Sequence, residues 1–226
     1  LLSPRALSPE TIAVAFAKTS RSPESFIDIA RDLSEEKSAE FNEKWVVGYG
    51  HSSVAEHAIL HIAIENASRL AVETIESSRL ASFTEKSTRY QKWSSDAFFT
   101  PHEIIAAGMQ PEYTQACARL FEAYERSLPL CREVIASSCS RNQGESDASY
   151  ERRLKSVYVD SSRFLLPAAA LANVGMTVNA RILEHLISKM LSHPLAEVRN
   201  IGEEIKQVAV AEVPTLVKYA NRVEYL

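Results

Sequence analysis

Apolar positions recur every three or four residues over most of the chain, with one clear departure. Between His57 and Glu65 the period drops to two: Ala58, Leu60, Ile62 and Ile64 alternate with Ile59, His61, Ala63 and Glu65. That pattern predicts a strand with one face buried. Ahead of it, Ser8-Pro9-Glu10 predicts a helix start, with a capping hydroxyl, proline at the first helical position and an acid facing the helix dipole. Ser22-Pro23-Glu24 repeats that signal, and a third helix is expected from about Ser34. Phe41 and Trp45 share one of its faces, and Gly48 and Gly50 stop it.

After the strand, Ala67 to Arg79 reads as a helix with Leu70, Ala71 and Ile75 inward, and Ala81 to Trp93, polar and β-branched, reads as a functional loop. Pro111 to Ile135 predicts a long helix with an apolar stripe at Ala116, Leu120, Tyr124 and Leu128, broken or kinked at Pro129. The polar, serine-rich stretch from Ser137 to Tyr150 reads as a mobile connection. Two further helices are expected. One covers Thr177 to Ser192, and the other carries Val198, Ile201, Ile205 and Val208 on one stripe.

With 226 residues, 46% of them hydrophobic, the chain suits one domain spanning residues 1–226. The net charge of −4 gives no basic face for polymeric nucleic acid, and Tyr90 and Trp93 beside Lys and Arg do not form one. The odd set Cys117, Cys131 and Cys139 argues against a disulfide framework and for thiols in a reducing cytoplasm. No apolar run reaches the ~18 residues of a membrane span. The start, Leu1-Leu2-Ser3-Pro4-Arg5, has neither an initiator methionine nor a leader pattern, as expected of a trimmed chain or a piece of a longer one.

Four clusters offer chemistry. Gly50-His51-Ser52-Ser53-Val54-Ala55-Glu56-His57 brings hydroxyl, carboxylate and imidazole within one turn, although on spacing alone a capped turn with Glu56 in a local hydrogen bond is the more ordinary explanation. Zinc is not expected there. The residue after His57 is Ala58, and His57 and His61 on a strand lie ~13 Å apart. Ser77 to Tyr90 holds Arg79, Lys86, Arg89 and Glu85 among Ser and Thr hydroxyls, a donor set suited to a phosphate. If that loop is extended, Glu85, Ser87 and Arg89 share one side. Arg163-Phe164-Leu165-Leu166-Pro167 and Thr177-Val178-Asn179-Ala180-Arg181 complete the set, with Asn179 also a good helix cap.

In this order and at these spacings, Gly-His-x-Ser-x-x-Glu-His, Glu85-x-Ser87-x-Arg89-Tyr90, Arg163-x-x-Leu-Pro and Asn179-x-Arg181 resemble the flavin-dependent thymidylate synthases. The resemblance implies an α+β fold, a small antiparallel sheet wrapped by helices, in a homotetramer whose active sites form between subunits. It also implies conversion of dUMP to dTMP, with methylenetetrahydrofolate supplying the carbon, reduced FAD the hydride, and NADPH re-reducing the flavin. By position, Ser20, Ser53, Glu56, Arg79, Asn179, Arg181 and His185 fall on the FAD site, and Glu85, Ser87, Arg89 and Arg163 on the dUMP site. No side-chain nucleophile and no metal are required, because the cofactor carries the chemistry. The chain departs from the family where Ser77-Ser78-Arg79 replaces Arg-His-Arg and where Lys189-Met190 stands in place of an arginine. Lysine keeps the charge but not the fork. Each basic group lost corresponds to ~1–3 kcal/mol of binding or transition-state stabilisation. A non-catalytic relative that binds flavin or nucleotide is therefore the alternative.

Overall fold

A computed structural model describes residues 2–20, 22–90 and 93–224. Leu1 of the expected start, and Gln91 and Lys92 of the expected loop, lie outside the described residues. In chain order the elements are α1 (Pro9–Thr19), α2 (Phe26–Asp32), α3 (Glu35–Asn42), β1 (Ile59–Ser68), α4 (Arg69–Glu76), β2 (Ser82–Glu85), α5 (His102–Ala106), α6 (Gln110–Ser138), α7 (Asp147–Ser162), β3 (Leu171–Asn179), α8 (Ala180–Leu191), α9 (Ala196–Glu212) and α10 (Pro214–Val217). The strands form one three-stranded antiparallel sheet in the order β1-β3-β2. The architecture is the expected α+β arrangement. Among the described residues, no helix is long and apolar enough to cross a membrane.

The chain divides into two compact units. The first comprises Leu1–Ile64, Glu73–Thr84 and Val174–Leu226, and the second Glu65–Val72 and Glu85–Asn173.

In the first unit, Ser8 caps α1 as expected, its hydroxyl accepting from the Thr11 N–H at 3.2 Å. Glu10 does more than face the dipole. It is buried, and its carboxylate accepts the N–H groups of Thr215 (2.7 Å) and Leu216 (3.1 Å) at the start of α10. The second cap is Ser25 rather than Ser22, and α2 opens at Phe26. Ser22 instead closes a local turn by accepting from the Glu24 N–H at 3.2 Å. Ser34 caps α3, which runs on into a wider π-helical turn over Glu43–Gly48. The turn ends there, and Gly50 follows at φ 73°, a left-handed conformation that glycine takes without strain.

β1 keeps the expected alternation as far as Ile64: Leu60 and Ile64 are buried, while Ile59, His61 and Ala63 are exposed. It does not stop at Glu65 but continues to Ser68, so the helix expected from Ala67 begins at Arg69. Ala71 and Ile75 face inward on α4, whereas Leu70 is exposed. The expected start of a helix at Thr177 is also corrected. Thr177 and Val178 belong to β3, and α8 begins at Ala180. β3 was not anticipated, although Ala172, Val174, Met176 and Val178 alternate along it and all four are buried. On α9 the buried stripe is Val198, Gly202, Ile205 and Ala209. Val208 lies outside it because Gly202 draws that side of the helix against α8. A Cβ at Gly202 would stand 2.9 Å from the Met190 Cβ.

In the second unit, α6 passes through Pro129 without ending. The proline is exposed, so the carbonyl it leaves unpaired can bond water. The buried stripe of α6, which packs against α7, is Cys117, Phe121 and Tyr124, not Ala116 and Leu120, and Trp93 covers Phe121 with ring centroids 6.4 Å apart. α7, also unforeseen, is capped by Ser146 and buries Leu154, Val159 and Ser162. The serine-rich connection before it is pinned by Arg153, which donates to Glu145 through Nε (3.0 Å) and Nη2 (2.7 Å) and to the Ser140 carbonyl (2.9 Å).

Candidate functional site

The Gly50–His57 cluster folds in the first unit as a short 3₁₀ turn, Ser52–His57, leading into β1. It closes one side of a cavity of about 340 Å³ with Phe16, Ala17 and Ser20 of the α1 end and Phe41 and Trp45 of the α3 region. The turn contributes His51, Ser53, Val54, Glu56 and His57. Phe16 stacks on His57 with ring centroids 4.9 Å apart, and Trp45 stacks on Tyr49 at the same separation. The π-helical turn, a type often placed at functional sites, is what carries Trp45 to this wall. Ser20, Ser53 and Glu56, three residues selected from the sequence, thus converge. The donor set is flat carbon surfaces beside hydroxyls and one carboxylate, which suits a planar heterocycle with its sugar.

Arg181 adjoins this cavity by pairing with Glu56. Asn179 does not line it. Its Oδ1 accepts from the Ile182 N–H at 2.9 Å, so its work is to cap α8 and fix where Arg181 stands. Arg181, His185 and Lys189 follow one another at four-residue spacing on the exposed side of α8. Met190 is fully buried against α9, so at this point of the chain Lys189, not Met190, faces outward. Arg79 is exposed in the turn after α4, with no partner among the described residues. Ser77 returns its hydroxyl to its own helix, donating to the Thr74 carbonyl at 2.7 Å. Burial raises the Glu184 carboxyl above its usual range, an effect that neighbouring His185 opposes.

The second unit holds the other candidates. The segment after β2 is not extended. The chain turns over Thr88–Tyr90, and Glu85, Ser87 and Arg89 part company. Glu85 accepts from Arg69 Nη1 at 2.6 Å. Ser87 Oγ accepts the Arg89 N–H at 3.3 Å. Arg89 forms a two-pronged pair with Asp160 of α7, Nε–Oδ1 and Nη2–Oδ2 both at 2.8 Å. Arg163 reaches the same Asp160 from Nε at 3.3 Å and donates to Thr88 Oγ1 at 3.2 Å. A second cavity, about 360 Å³, is lined by Arg69, Thr88, Arg163, Phe164, Leu166, Pro167 and Ala168. Of the expected dUMP residues only Arg163 lines it. Arg69, Thr88 and Asp160 were not singled out in the sequence, since lone charged residues in a helix and a polar turn carry no spacing signal. Among the described residues, no group of three or more His, Cys, Asp or Glu is placed to hold a metal.

The family model described as "Thymidylate synthase complementing protein" matches residues 4–215. The chain belongs to the thymidylate synthase complementing protein family. It is a divergent member of the flavin-dependent thymidylate synthases. A UPF0159 protein of Chlamydia pneumoniae is 31% identical over 192 residues, 82% of this chain and 36% of its own length. A flavin-dependent thymidylate synthase of Clostridium tetani is 27% identical over 217 residues, 95% of this chain and 83% of its own. The chain spans about two-fifths of the first curated relatives it matches, at 36%, 37% and 42% of their lengths. In fold it is similar to a UMP/dUMP methylase from Streptomyces cacaoi bound with 5-Br dUMP (TM-score 0.65, 20% identity, 92% of this chain and 88% of that one). It is also similar to the Helicobacter pylori flavin-dependent thymidylate synthase complexed with FAD and dUMP (TM-score 0.62, 17% identity, 95% and 96% of the two chains).

Proposed function

We propose that this chain is a flavin-dependent thymidylate synthase, a cytoplasmic enzyme converting dUMP to dTMP. Methylenetetrahydrofolate and NADPH are its co-substrates, and a homotetramer is its working form. The observation that carries this reading is the convergence of Ser20, Ser53 and Glu56, with Arg181 behind Glu56, on an aromatic-walled cavity. Those residues fit a flavin dinucleotide. Phe16, His57 and Trp45 offer faces for one ring system, the hydroxyls of Ser20 and Ser53 offer bonds to a ribose, and Arg79, exposed in the turn after α4, remains available for a phosphate. A cavity of this volume receives one half of a dinucleotide. Asn179 caps α8, the helix that carries Arg181 and His185. FAD, when bound, supplies hydride transfer. The side chains bind, orient and exclude water.

In this reading the second unit takes dUMP. Glu85, Ser87, Arg89 and Arg163 correspond to the family's substrate positions; Lys189, on α8 of the first unit, stands where the family carries an arginine. A non-catalytic relative is the competing reading. It is favoured by two observations: Ser77 spends its hydroxyl on its own helix, and Arg89 is held by Asp160.

The deciding measurement is the visible spectrum after incubation with FAD and desalting. Retention of a flavin band, followed by dTMP formation or rescue of a thymidine-requiring strain, is expected. A folded but colourless protein would sink the catalytic reading and leave the fold.

A further inference from the structure

On the reading that the second unit takes a nucleoside monophosphate, we infer that Arg69 is a specificity-determining cation of its cavity, holding the ligand's phosphate jointly with Arg163 and giving up Glu85 to do so.

The residues that line the cavity make the first case. Its polar side is Arg69, Thr88 and Arg163, and its carbon side is Leu166 and Pro167. Phe164, 83% exposed, presents an aromatic ring among the lining residues, suited to a base. Arg89 and Ser87, the expected phosphate ligands, do not line it.

The charges make the second case. Three guanidiniums, Arg69, Arg89 and Arg163, meet two carboxylates, Glu85 and Asp160. Both oxygens of Asp160 are taken at 2.8 Å by the fork of Arg89, so Arg163 reaches it only as a third party at 3.3 Å. One positive charge is left in excess. An anion is the ligand that balances such a wall.

The Arg69–Glu85 pair makes the third case. It is a single contact, Nη1–Oε1 at 2.6 Å, with the two side chains 35% and 25% exposed. Arg69 therefore keeps further N–H donors for a forked grip. A phosphate monoester carries close to two negative charges at neutral pH against one on Glu85, so exchange of one partner for the other favours the ligand.

The test is calorimetric titration of the full chain with two probes, dUMP and 2-deoxyribose 5-phosphate. Arg69→Gln should weaken both by about 10- to 100-fold, the range for a lost hydrogen bond to a charged group. Arg69→Lys should fall between, keeping charge without the fork. Glu85→Gln should tighten the sugar phosphate, because it frees Arg69, an effect that a purely structural ion pair would not produce. Should Arg69→Gln fail to fold, Arg69→Lys and Glu85→Gln carry the decision. Binding of either probe that is indifferent to Arg69, weaker sugar-phosphate binding by Glu85→Gln, or no binding by the native chain overturns the inference. If dUMP binds without regard to Arg69, the inference falls and the substrate reading survives. If sugar phosphate binds through Arg69 and dUMP does not bind, the substrate reading falls instead.

Discussion

At the scale of single residues, the Glu56–Arg181 pair bears most directly on function. Both side chains are nearly half exposed, so the pair itself adds little to stability, and its effect should be seen in ligand binding. Arg181→Ala is expected to lower FAD affinity by about 10-fold or more while leaving the melting temperature within a few degrees. Flavin fluorescence titration and a thermal melt check both halves, and an unchanged affinity would remove Arg181 from the cofactor site. Gly202 is the opposite kind of residue. A methyl group there meets the Met190 Cβ at 2.9 Å, and backbone, not a flexible tip, must move. Gly202→Ala should destabilise by about 1–3 kcal/mol in urea unfolding, partly offset by alanine's better helix propensity of ~1 kcal/mol. Glu10→Ala should cost about 2 kcal/mol, because two buried N–H groups of α10 lose their acceptor. The same unfolding measurement reads it, and a loss near zero would mean water replaces the carboxylate.

At the scale of elements, the connection between α6 and α7 is the part whose stability depends on pH. Arg153 and the Asn142 N–H hold the Glu145 carboxyl down at about 2, against an ordinary 4.5. A depressed folded-state pKa stabilises above the unfolded value and ceases to do so as pH falls through the folded one. Protection of amides in residues 140–146 should therefore be full at neutral pH and decline from about pH 4.5 to about pH 2. Arg153→Ala should abolish that dependence, and hydrogen exchange across the range checks it. The same elements show what a sequence makes legible. Local chemistry read well: Ser8, Ser34 and Asn179 are caps, and β1 keeps its alternation to Ile64. Features set by packing did not. Whether α6 buries Leu120 or Phe121 depends on where α7 lies, and Pro129 is harmless only because it faces solvent. Of the residues lining the first cavity, Ser53 and Glu56 were singled out by motif spacing and Ser20 by position in the family resemblance alone, whereas Arg69 and Asp160 enter through partners 16 and 71 residues away in the chain.

At the scale of the whole molecule, the route of the chain matters more than any element. It leaves the first unit after Ile64, returns at Glu73, leaves again after Thr84 and returns at Val174, so neither unit is one continuous segment. The second unit looks excisable as Glu85–Asn173, yet its remaining piece, Glu65–Val72, supplies bonds that the larger piece cannot replace. The Arg69 and Leu70 N–H groups donate to the Ala170 and Ala168 carbonyls at 2.9 and 3.1 Å, Asn66 N–H donates to the Asn173 side chain at 2.9 Å, and Arg69 pairs with Glu85. Buried Ala67, Ala71 and Val72 come from the same eight residues. Without them, the carbonyls of Ala168 and Ala170 lose their donors and Glu85 its countercharge. A backbone group left unpaired away from water, as at buried Ala170, costs about 1–3 kcal/mol, a large share of the 5–15 kcal/mol that holds a typical domain. A fragment of residues 85–173 is accordingly expected to keep helical circular dichroism from α6 and α7 but to show poor amide dispersion and no cooperative melt. A fragment of residues 65–173 should recover both. If the shorter fragment melts cooperatively, the β1–α4 junction is an attachment to the second unit and not part of its core, and Arg69 then stands on an element the unit can do without.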